Sequence, residues 1–283
     1  HHLILPQLLI HSAYYTFNDE VISGNIDFLI QCYINLGEER FLDPIRRGMN
    51  FYLITQQGNP QGGWGQQYNM DLQVAHARSY EPPALMPGFT YTHVLLLMKY
   101  YQLTGDRKFL ARIPDAIQWL ESCRLPAEQS LGGTRTHATF IEIGTNKGLY
   151  AHRKGTGVKD GHYWWDYDDS NLLAHYGGKT NINIQFLKDE YQRVNALSAE
   201  EATRNSPLKA GMIKDGILPQ TQFLTVNSSG AIPDDTMVLG IIKALDQDRW
   251  LVKHIQISRP YSVLPDGSEM NTAKLSDENG KGI

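Results

Sequence analysis

A mainly α-helical fold is what the sequence predicts: an α/α toroid, in the form of an incomplete barrel of helical hairpins with long irregular loops. Its main support is an internal repeat, in which CYINLGEERFLDPIRRGMNFYL (32–53) matches YYQLTGDRKFLARIPDAIQWL (100–120) when shifted by 68 residues, as from position 33 to position 101. Apolar residues recur at helical spacing around these stretches. Because such hairpins bury their apolar faces only by stacking on one another, their repetition favours a toroid.

Each copy of the repeat predicts one helix, a tight turn at a glycine and a second helix. Gly37 and Gly105 mark the turns, where a glycine suits the left-handed residue that ends a helix. The first helix of the first copy is expected to begin near TFND, with Thr16, Asn18 or Asp19 as its N-cap.

Beyond the second hairpin the pattern changes. Residues 124–181 are rich in Gly, Asp, Tyr and Trp, which predicts long irregular structure of the kind that often carries function. A helical pattern returns over residues 183–203, with a capping-box signature at Ser198 and Glu201.

The sequence divides into a toroid domain over residues 1–205 and a C-terminal extension or tail over residues 206–283. The extension is predicted to be small and α+β, since residues 234–247 form a helical pattern and residues 252–257 resemble a short strand.

Composition narrows the classes of partner. The 283 residues are 41% hydrophobic with a net charge of -4, which gives no electrostatic reason to expect a nucleic acid. No run of 18 apolar residues exists, so no membrane-spanning helix is predicted.

Three polar segments carry the candidate site residues, and all lie on loops or helix starts, where sites are usually built. They are TFND with Asp19, ARSYE with Arg78, Tyr80 and Glu81, and TNKGLYAHRKG with Lys147, Tyr150, His152, Arg153 and Lys154. Basic loops that face an acidic helix start suit an anionic ligand, bridged by a cation. Flat apolar surfaces for sugar rings would come from the aromatic residues Trp64, Tyr80, Tyr163, Trp164 and Trp165. The residues thus favour a cleft for an anionic carbohydrate.

Read in order, these segments resemble the family 10 polysaccharide lyases, which are pectate lyases with an α/α toroid fold. YTFND (15–19) is similar to that family's TFND element, and ARSYEPPAL (77–85) to its ARxYExxSL element. TNKGLYAHRKG is similar, more loosely, to its closing substrate-binding loops. The resemblance covers residues 14–190.

The resemblance implies β-elimination on a pectate or polygalacturonate-like uronate polymer, with calcium as cofactor and a secreted or periplasmic location. It makes Arg78 the base that removes the proton at C5 and places Asp19 at the calcium and carboxylate site. Lys147 and Arg153 would hold uronate carboxylates. The remaining substrate-binding residues would be Tyr150, Tyr80, Glu81 and Trp64.

The sequence also departs from the family pattern. The family's earlier hairpin, with its DNGAT-like element, has no counterpart in residues 1–14, and PPALMPG stands where the family favours serines. The base is chemically demanding as well, because arginine normally stays protonated. For Arg78 to act as a base, Glu81 is expected to point elsewhere or to serve only as a positioning group.

Structural roles are the alternative for each candidate. Arg78 and Glu81 could form an ion pair that braces the loop, Asp19 could be a helix cap, and Trp64 could be a packing anchor. The segment with Lys147, His152 and Arg153 could be a solvated basic loop. On a strand, Trp164 and Trp165 would face opposite sides.

Two other functions stay open at this point. One is a non-catalytic carbohydrate-binding protein. The other is a glycoside hydrolase, which needs two carboxylates flanking a bond. Asp19 with Glu81, or Asp166 with Asp168, are residues of the required type.

Overall fold

The computed structural model describes residues 14–130, 133–154, 162–173, 177–209, 235–243, 261–263 and 269–271. The chain consists of two compact units. The first consists of His1–His152 and Tyr163–Thr221, and the second of Arg153–His162 and Gln222–Ile283. The boundary predicted at residue 206 stays a prediction.

The α-helices and strands of the described residues follow in chain order. The helices are α1 (Val21–Leu36), α2 (Leu42–Thr55), α3 (Pro87–Thr104), α4 (Ile113–Ser122), α5 (Ile184–Asn195), α6 (Ala199–Ala202) and α7 (Asp235–Lys243). The strands are β1 (Tyr15–Thr16), β2 (Gln67–Tyr68), β3 (Ala84–Leu85), β4 (His137–Ala138), β5 (Phe140–Glu142), β6 (Gly148–Lys154), β7 (His162–Asp166), β8 (Lys179–Thr180), β9 (Tyr261–Val263) and β10 (Glu269–Asn271).

The repeated hairpins are confirmed as α1–α2 and α3–α4. Gly37 and Gly105 end α1 and α3 in the left-handed conformation, with φ of 69° and 72°. The Gly37 N–H donates to the carbonyl of Tyr33 at 3.0 Å, and the Gly105 N–H donates to that of Tyr101 at 2.7 Å. The two turns therefore close in the same way, as the repeat predicts.

The predicted α/α toroid is wrong. The described residues also form short antiparallel strands, and β3, β5, β6 and β7 lie in that order in a four-stranded sheet. Further two-stranded ladders join β1 with β2 and β4 with β8. Helix α3 packs against α5 and α6 in addition to its neighbouring hairpin helices. The apolar faces of the hairpins are thus covered by different partners from those that a ring of hairpins would supply.

The sheet encloses a small apolar core where the sequence indicates only irregular structure. Phe140 of β5 and Leu149 of β6 pack with Ala84 and Met86, and the partly buried Trp165 of β7 lies against them. Alternate residues of these strands thus turn towards the core, which fixes which side chains lie on the other face.

The main core is aromatic and has a buried histidine near its centre. His93 of α3 is 3% exposed, and its ring lies 4.3 Å from Phe17, 4.8 Å from Tyr52 and 5.3 Å from Trp64, between ring centroids. Burial lowers the pKa of His93 to about 3, because the charged imidazolium would lose its hydration there.

The remaining elements match the sequence in part. The capping box is confirmed, since the Ser198 side chain accepts from the Glu201 N–H while the Glu201 carboxylate accepts from the Ser198 N–H. Helix α7 lies within the predicted helix over 234–247, and residues 252–257 lie outside the described residues. None of the helices described in the structure has the length and apolar character needed to cross a membrane.

Gly105→Ala is expected to destabilise the fold. Alanine here would have to adopt the left-handed conformation, which costs about 1–2 kcal/mol of conformational free energy. Its Cβ would also lie 3.2 Å from side-chain atoms of Ala199 and Thr203. Urea unfolding should show this loss. The control is Gly24→Ala in α1, where an added Cβ would meet no atom within 4 Å. This variant should raise the free energy of unfolding by about 0.5–1 kcal/mol. Equal effects of the two variants would contradict the assigned turn.

His93 is expected to make stability depend on pH. Its pKa is lower in the folded state than its ordinary value of 6.5, so between about pH 6.5 and 3 the unfolded chain binds a proton that the folded chain does not. Stability should therefore fall as pH falls through this window, by at most about 1.4 kcal/mol per pH unit from this group. Urea unfolding of wild type and His93→Phe at several pH values measures it. The same slope in both proteins would refute it.

Candidate functional site

The two segments that carry the closest resemblance to the lyases lie on either side of the same buried strand. On one side, β1 pairs with β2, and the Phe17 N–H donates to the Gln66 carbonyl at 2.9 Å. On the other side, the Ala75 N–H donates to the Gln67 carbonyl at 2.9 Å, directly before the ARSYE segment. The TFND and ARSYE segments, which are distant in sequence, are thus connected through residues 66–68.

The ARSYE segment is organised around a buried carboxylate. Glu81 is 1% exposed. Its Oε2 accepts from the Arg78 N–H at 2.9 Å, and its Oε1 accepts from the Gln66 side-chain amide at 3.0 Å. The Glu81 N–H in turn donates to the Arg78 carbonyl at 2.8 Å. Glu81 therefore fixes the loop and anchors it to the buried strand.

Arg78 is held beside this carboxylate and still reaches solvent. Its Nη1 lies 3.6 Å from Glu81 Oε1, and its side chain is 47% exposed. Glu81 thus does not point away from Arg78, and it has the positioning role that the sequence left as its alternative. The contact stabilises the charged guanidinium.

Aromatic contacts connect the ARSYE segment with the edge of the sheet. The Tyr80 ring lies 5.9 Å from that of Tyr163, and the His76 ring 5.2 Å from that of Trp165. His76 Nδ1 also lies 2.8 Å from the Glu81 carbonyl oxygen. Tyr163 and Trp165 are two residues apart on β7, so the segment lies against one face of that strand.

The TFND segment presents an exposed carboxylate on a strained backbone. Asp19 and Glu20 both have positive φ, 51° and 58°. Such conformations cost free energy in residues other than glycine and are concentrated at functional sites. The Asn18 side-chain amide donates to Asp19 Oδ2 at 3.0 Å. The predicted side-chain cap is wrong, because α1 has Glu20 as its N-cap residue and no side-chain capping bond.

Asp19 alone does not make a calcium site. Calcium takes six to eight oxygen ligands, several of them from carboxylates. The part of the chain that the structure describes contains no group of three His, Cys, Asp or Glu side chains that could hold a metal ion. The described residues around Asp19 thus do not supply such a group, and the calcium requirement stays a prediction.

Two predicted site residues of the third segment line a cavity of about 270 Å³. Lys147 and Tyr150 lie there with Arg124 and Tyr167. The Lys147 ammonium lies 4.9 Å from the centre of the Tyr167 ring, in a cation–π contact. Burial raises the pKa of Tyr150 to about 12, so its hydroxyl is a neutral donor. Arg153 is partly buried and belongs to the second unit.

Trp64 has a packing role. Its indole is completely buried, and its N–H donates to the Tyr52 carbonyl at 2.8 Å. A ring in this position has no surface against which a sugar could stack, so the predicted contact of Trp64 with substrate does not fit the structure. The alternative of a packing anchor does.

Strand β7 separates the candidate residues into two groups. Trp164 and Asp166 contact His152 of β6 on the face opposite to Tyr163 and Trp165. Tyr150 shares the His152 face, since it precedes His152 by two residues on β6. Arg78, Tyr80 and Glu81 lie by the other face, through the contacts of Tyr80 and His76. The strand order therefore does not bring all predicted site residues into one continuous cleft.

Comparison with known proteins found no matching family model, no matching curated protein and no matching solved structure. The resemblance to the polysaccharide lyases therefore stays a prediction that depends on the residues themselves.

Sequence reasoning missed two features of this site. Gln66 joins the TFND and ARSYE segments, but nothing in the run QQY distinguishes it from its neighbour Gln67. The joint contact of His152, Asp166 and Trp164 was also missed. Its only signal was the alternation of residues along HYWWD, which places Trp164 and Asp166 on one face.

Glu81→Gln is expected to lower the free energy of unfolding by about 1–3 kcal/mol. The amide replaces one of two carboxylate oxygens that accept buried N–H groups, so one of those donors would lose its acceptor. Urea unfolding measures the loss. Glu200→Gln, at an exposed glutamate of α6, is the matched control and should change stability by no more than about 0.5 kcal/mol. Equal stability of both variants would show that Glu81 does not organise the loop.

Proposed function

We propose that this protein is a polysaccharide lyase that cleaves an anionic uronate polymer by β-elimination at Arg78. The observation that supports the proposal most is the meeting of the TFND and ARSYE segments at residues 66–68, with Arg78 half-exposed beside them. These are the two segments on which the resemblance to the lyases depends.

β-Elimination from a uronate requires a cation next to the substrate carboxylate. In the elimination, a base takes the proton from C5, the bond from C4 to the glycosidic oxygen breaks, and a double bond forms between C4 and C5 while the leaving oxygen gains a proton. The uronate carboxylate must be neutralised so that the C5 proton becomes acidic enough. An arginine binds a carboxylate through two parallel N–H groups, and the half-exposed Arg78 guanidinium, 3.6 Å from Glu81, is a group of this type.

Arg78 has two possible roles, which make different demands. A base must lose its charge, and the Glu81 carboxylate 3.6 Å away opposes that. A cation that neutralises the uronate keeps its charge, and the same carboxylate then helps. The contact with Glu81 supports the second role better, and the C5 proton would then pass to a different base, whereas the resemblance implies the first role.

The binding of carbohydrate without catalysis is the second candidate. The close contact of Arg78 with the buried Glu81 is also what a structural ion pair looks like, and this observation favours a non-catalytic protein. A glycoside hydrolase has less support. Both oxygens of Glu81 accept hydrogen bonds in a buried place, and Asp166 is already bonded to His152 and Trp164.

The elimination is tested by ultraviolet absorbance of the unsaturated product, with polygalacturonate as substrate. We expect product to form with wild type and to fall at least about a hundredfold in Arg78→Ala, as for loss of a group that stabilises developing charge. If Arg78 acts as a cation, Arg78→Lys should keep part of the activity. If Arg78 is the base, Arg78→Lys should lose as much as Arg78→Ala.

The controls separate a local effect from a general one. Arg47→Ala removes an arginine that is 72% exposed and paired with Asp43 on the surface of α2, and it should leave activity unchanged. Addition of calcium or of a chelator tests the predicted metal requirement, and Asp19→Asn tests the predicted carboxylate. Absence of product from every uronate polymer would refute the lyase and favour the binding protein.

A further inference from the structure

The other face of β7 carries an exposed indole in a fixed orientation. The Trp164 ring is stacked on the His152 ring, with 5.3 Å between the ring centres and 17° between the planes. The Trp164 N–H donates to Asp166 Oδ2 at 3.1 Å. Trp164 nevertheless remains 37% exposed.

The support beneath this indole is itself held in place. His152 is buried, and its Nε2 lies 3.0 Å from Asp166 Oδ1. The same carboxylate oxygen accepts from the Asp168 N–H at 2.9 Å. Both oxygens of Asp166 are therefore engaged within the protein. Because the orientation of Trp164 is already set, a ligand that contacts it would lose little free energy to ordering this side chain.

The polar surroundings of the indole are acidic. Asp166 is half-exposed, and Asp168 lies beside it, with its backbone N–H donating to Asp166 Oδ1 at 2.9 Å. Hydrogen bonds from Ser170 lower the pKa of Asp168, so this carboxylate is charged at neutral pH.

We propose that Trp164, with Asp166 at its edge, is a binding platform for a neutral pyranose. The C–H face of a sugar ring is apolar and matches the exposed indole, while its hydroxyl groups donate hydrogen bonds that a carboxylate accepts. A uronate would bring its own carboxylate next to Asp166 and Asp168, where like charges repel. The platform thus selects a neutral sugar and not the charged one proposed for Arg78.

This platform is independent of the elimination. Neither Arg78 nor Asp19 belongs to it, and its contacts lie on the opposite face of β7 from the ARSYE segment. It would give the protein a second specificity, for neutral residues in or beside the polymer, and it would function equally well in a non-catalytic binding protein.

Calorimetric titration of the whole chain with oligomers of galactose and, in parallel, of galacturonate tests the platform. We expect the galactose oligomer to bind wild type, and Trp164→Ala to weaken that binding by about tenfold or more, which corresponds to about 1.4 kcal/mol. Phe28→Ala, which removes a ring that is 64% exposed on α1, is the matched control and should leave binding unchanged.

Two further variants make the outcome specific. Asp166→Asn should lower the ratio of affinities for the neutral and the charged oligomer several-fold. One negative charge is removed, while the amide still accepts a hydrogen bond from the indole. Arg78→Ala should leave the binding of the galactose oligomer unchanged even where it abolishes elimination, so the failure of one proposal is distinguishable from the failure of the other. No binding of the neutral oligomer, or equal binding by Trp164→Ala with its fold intact by circular dichroism, would overturn the platform.

Discussion

The constraint on which the structure depends is the burial of residues 64–68, whose backbone must find hydrogen-bond partners inside the protein. The Trp64 N–H donates to the Thr90 hydroxyl, and the Trp64 carbonyl accepts from Met86. These bonds join the strand to the second hairpin. The Tyr68 hydroxyl donates to the Thr55 carbonyl and accepts from the Gly65 N–H, which joins it to the first hairpin. The same strand therefore connects both hairpins and, through Gln66, both candidate segments. Close packing leaves no room for larger residues here, because a Cβ on Gly63 would lie 2.2 Å from the Trp119 ring.

The position of Arg78 is a consequence of that buried strand. Glu81 can be buried only because N–H groups of Gln66 and Arg78 satisfy its oxygens, and an unpaired carboxylate in the same place would be costly. The loop is thus pinned to the core by its carboxylate while its guanidinium reaches solvent. Buried hydrogen bonds thus hold the backbone at Arg78, and its guanidinium lies 3.6 Å from the Glu81 carboxylate.

The sequence predicted the local features of the fold better than its assembly. The turns at Gly37 and Gly105 and the capping box at Ser198 follow from backbone rules that act within a few residues, and they are confirmed. The toroid was inferred from two hairpins, but two hairpins do not determine what covers their outer faces. Helices α5 and α6 pack against the second hairpin. The strands are mostly two or three residues long, as with β3, β4 and β5, which is too short for an alternating pattern to stand out. Buried amides such as Gln66 are not visible to any rule based on hydrophobicity.

For the candidate site, the residue types in the sequence indicated the chemistry of the side chains but not their arrangement in space. The sequence grouped Lys147 and Tyr150 with Arg78 because all three suit an anionic sugar, but the pleat of β7 puts their neighbours on opposite faces. The same alternation gives the two faces different chemistry. Arg78 lies by the face of Trp165, whereas Asp166 lies on that of Trp164. If both proposals hold, charged sugars would lie on the ARSYE side of β7 and neutral sugars on the Trp164 side, and neither contact needs a toroidal cleft. The loss of the predicted fold thus changes where carbohydrate would lie on this protein, but it does not remove the residues that would bind it.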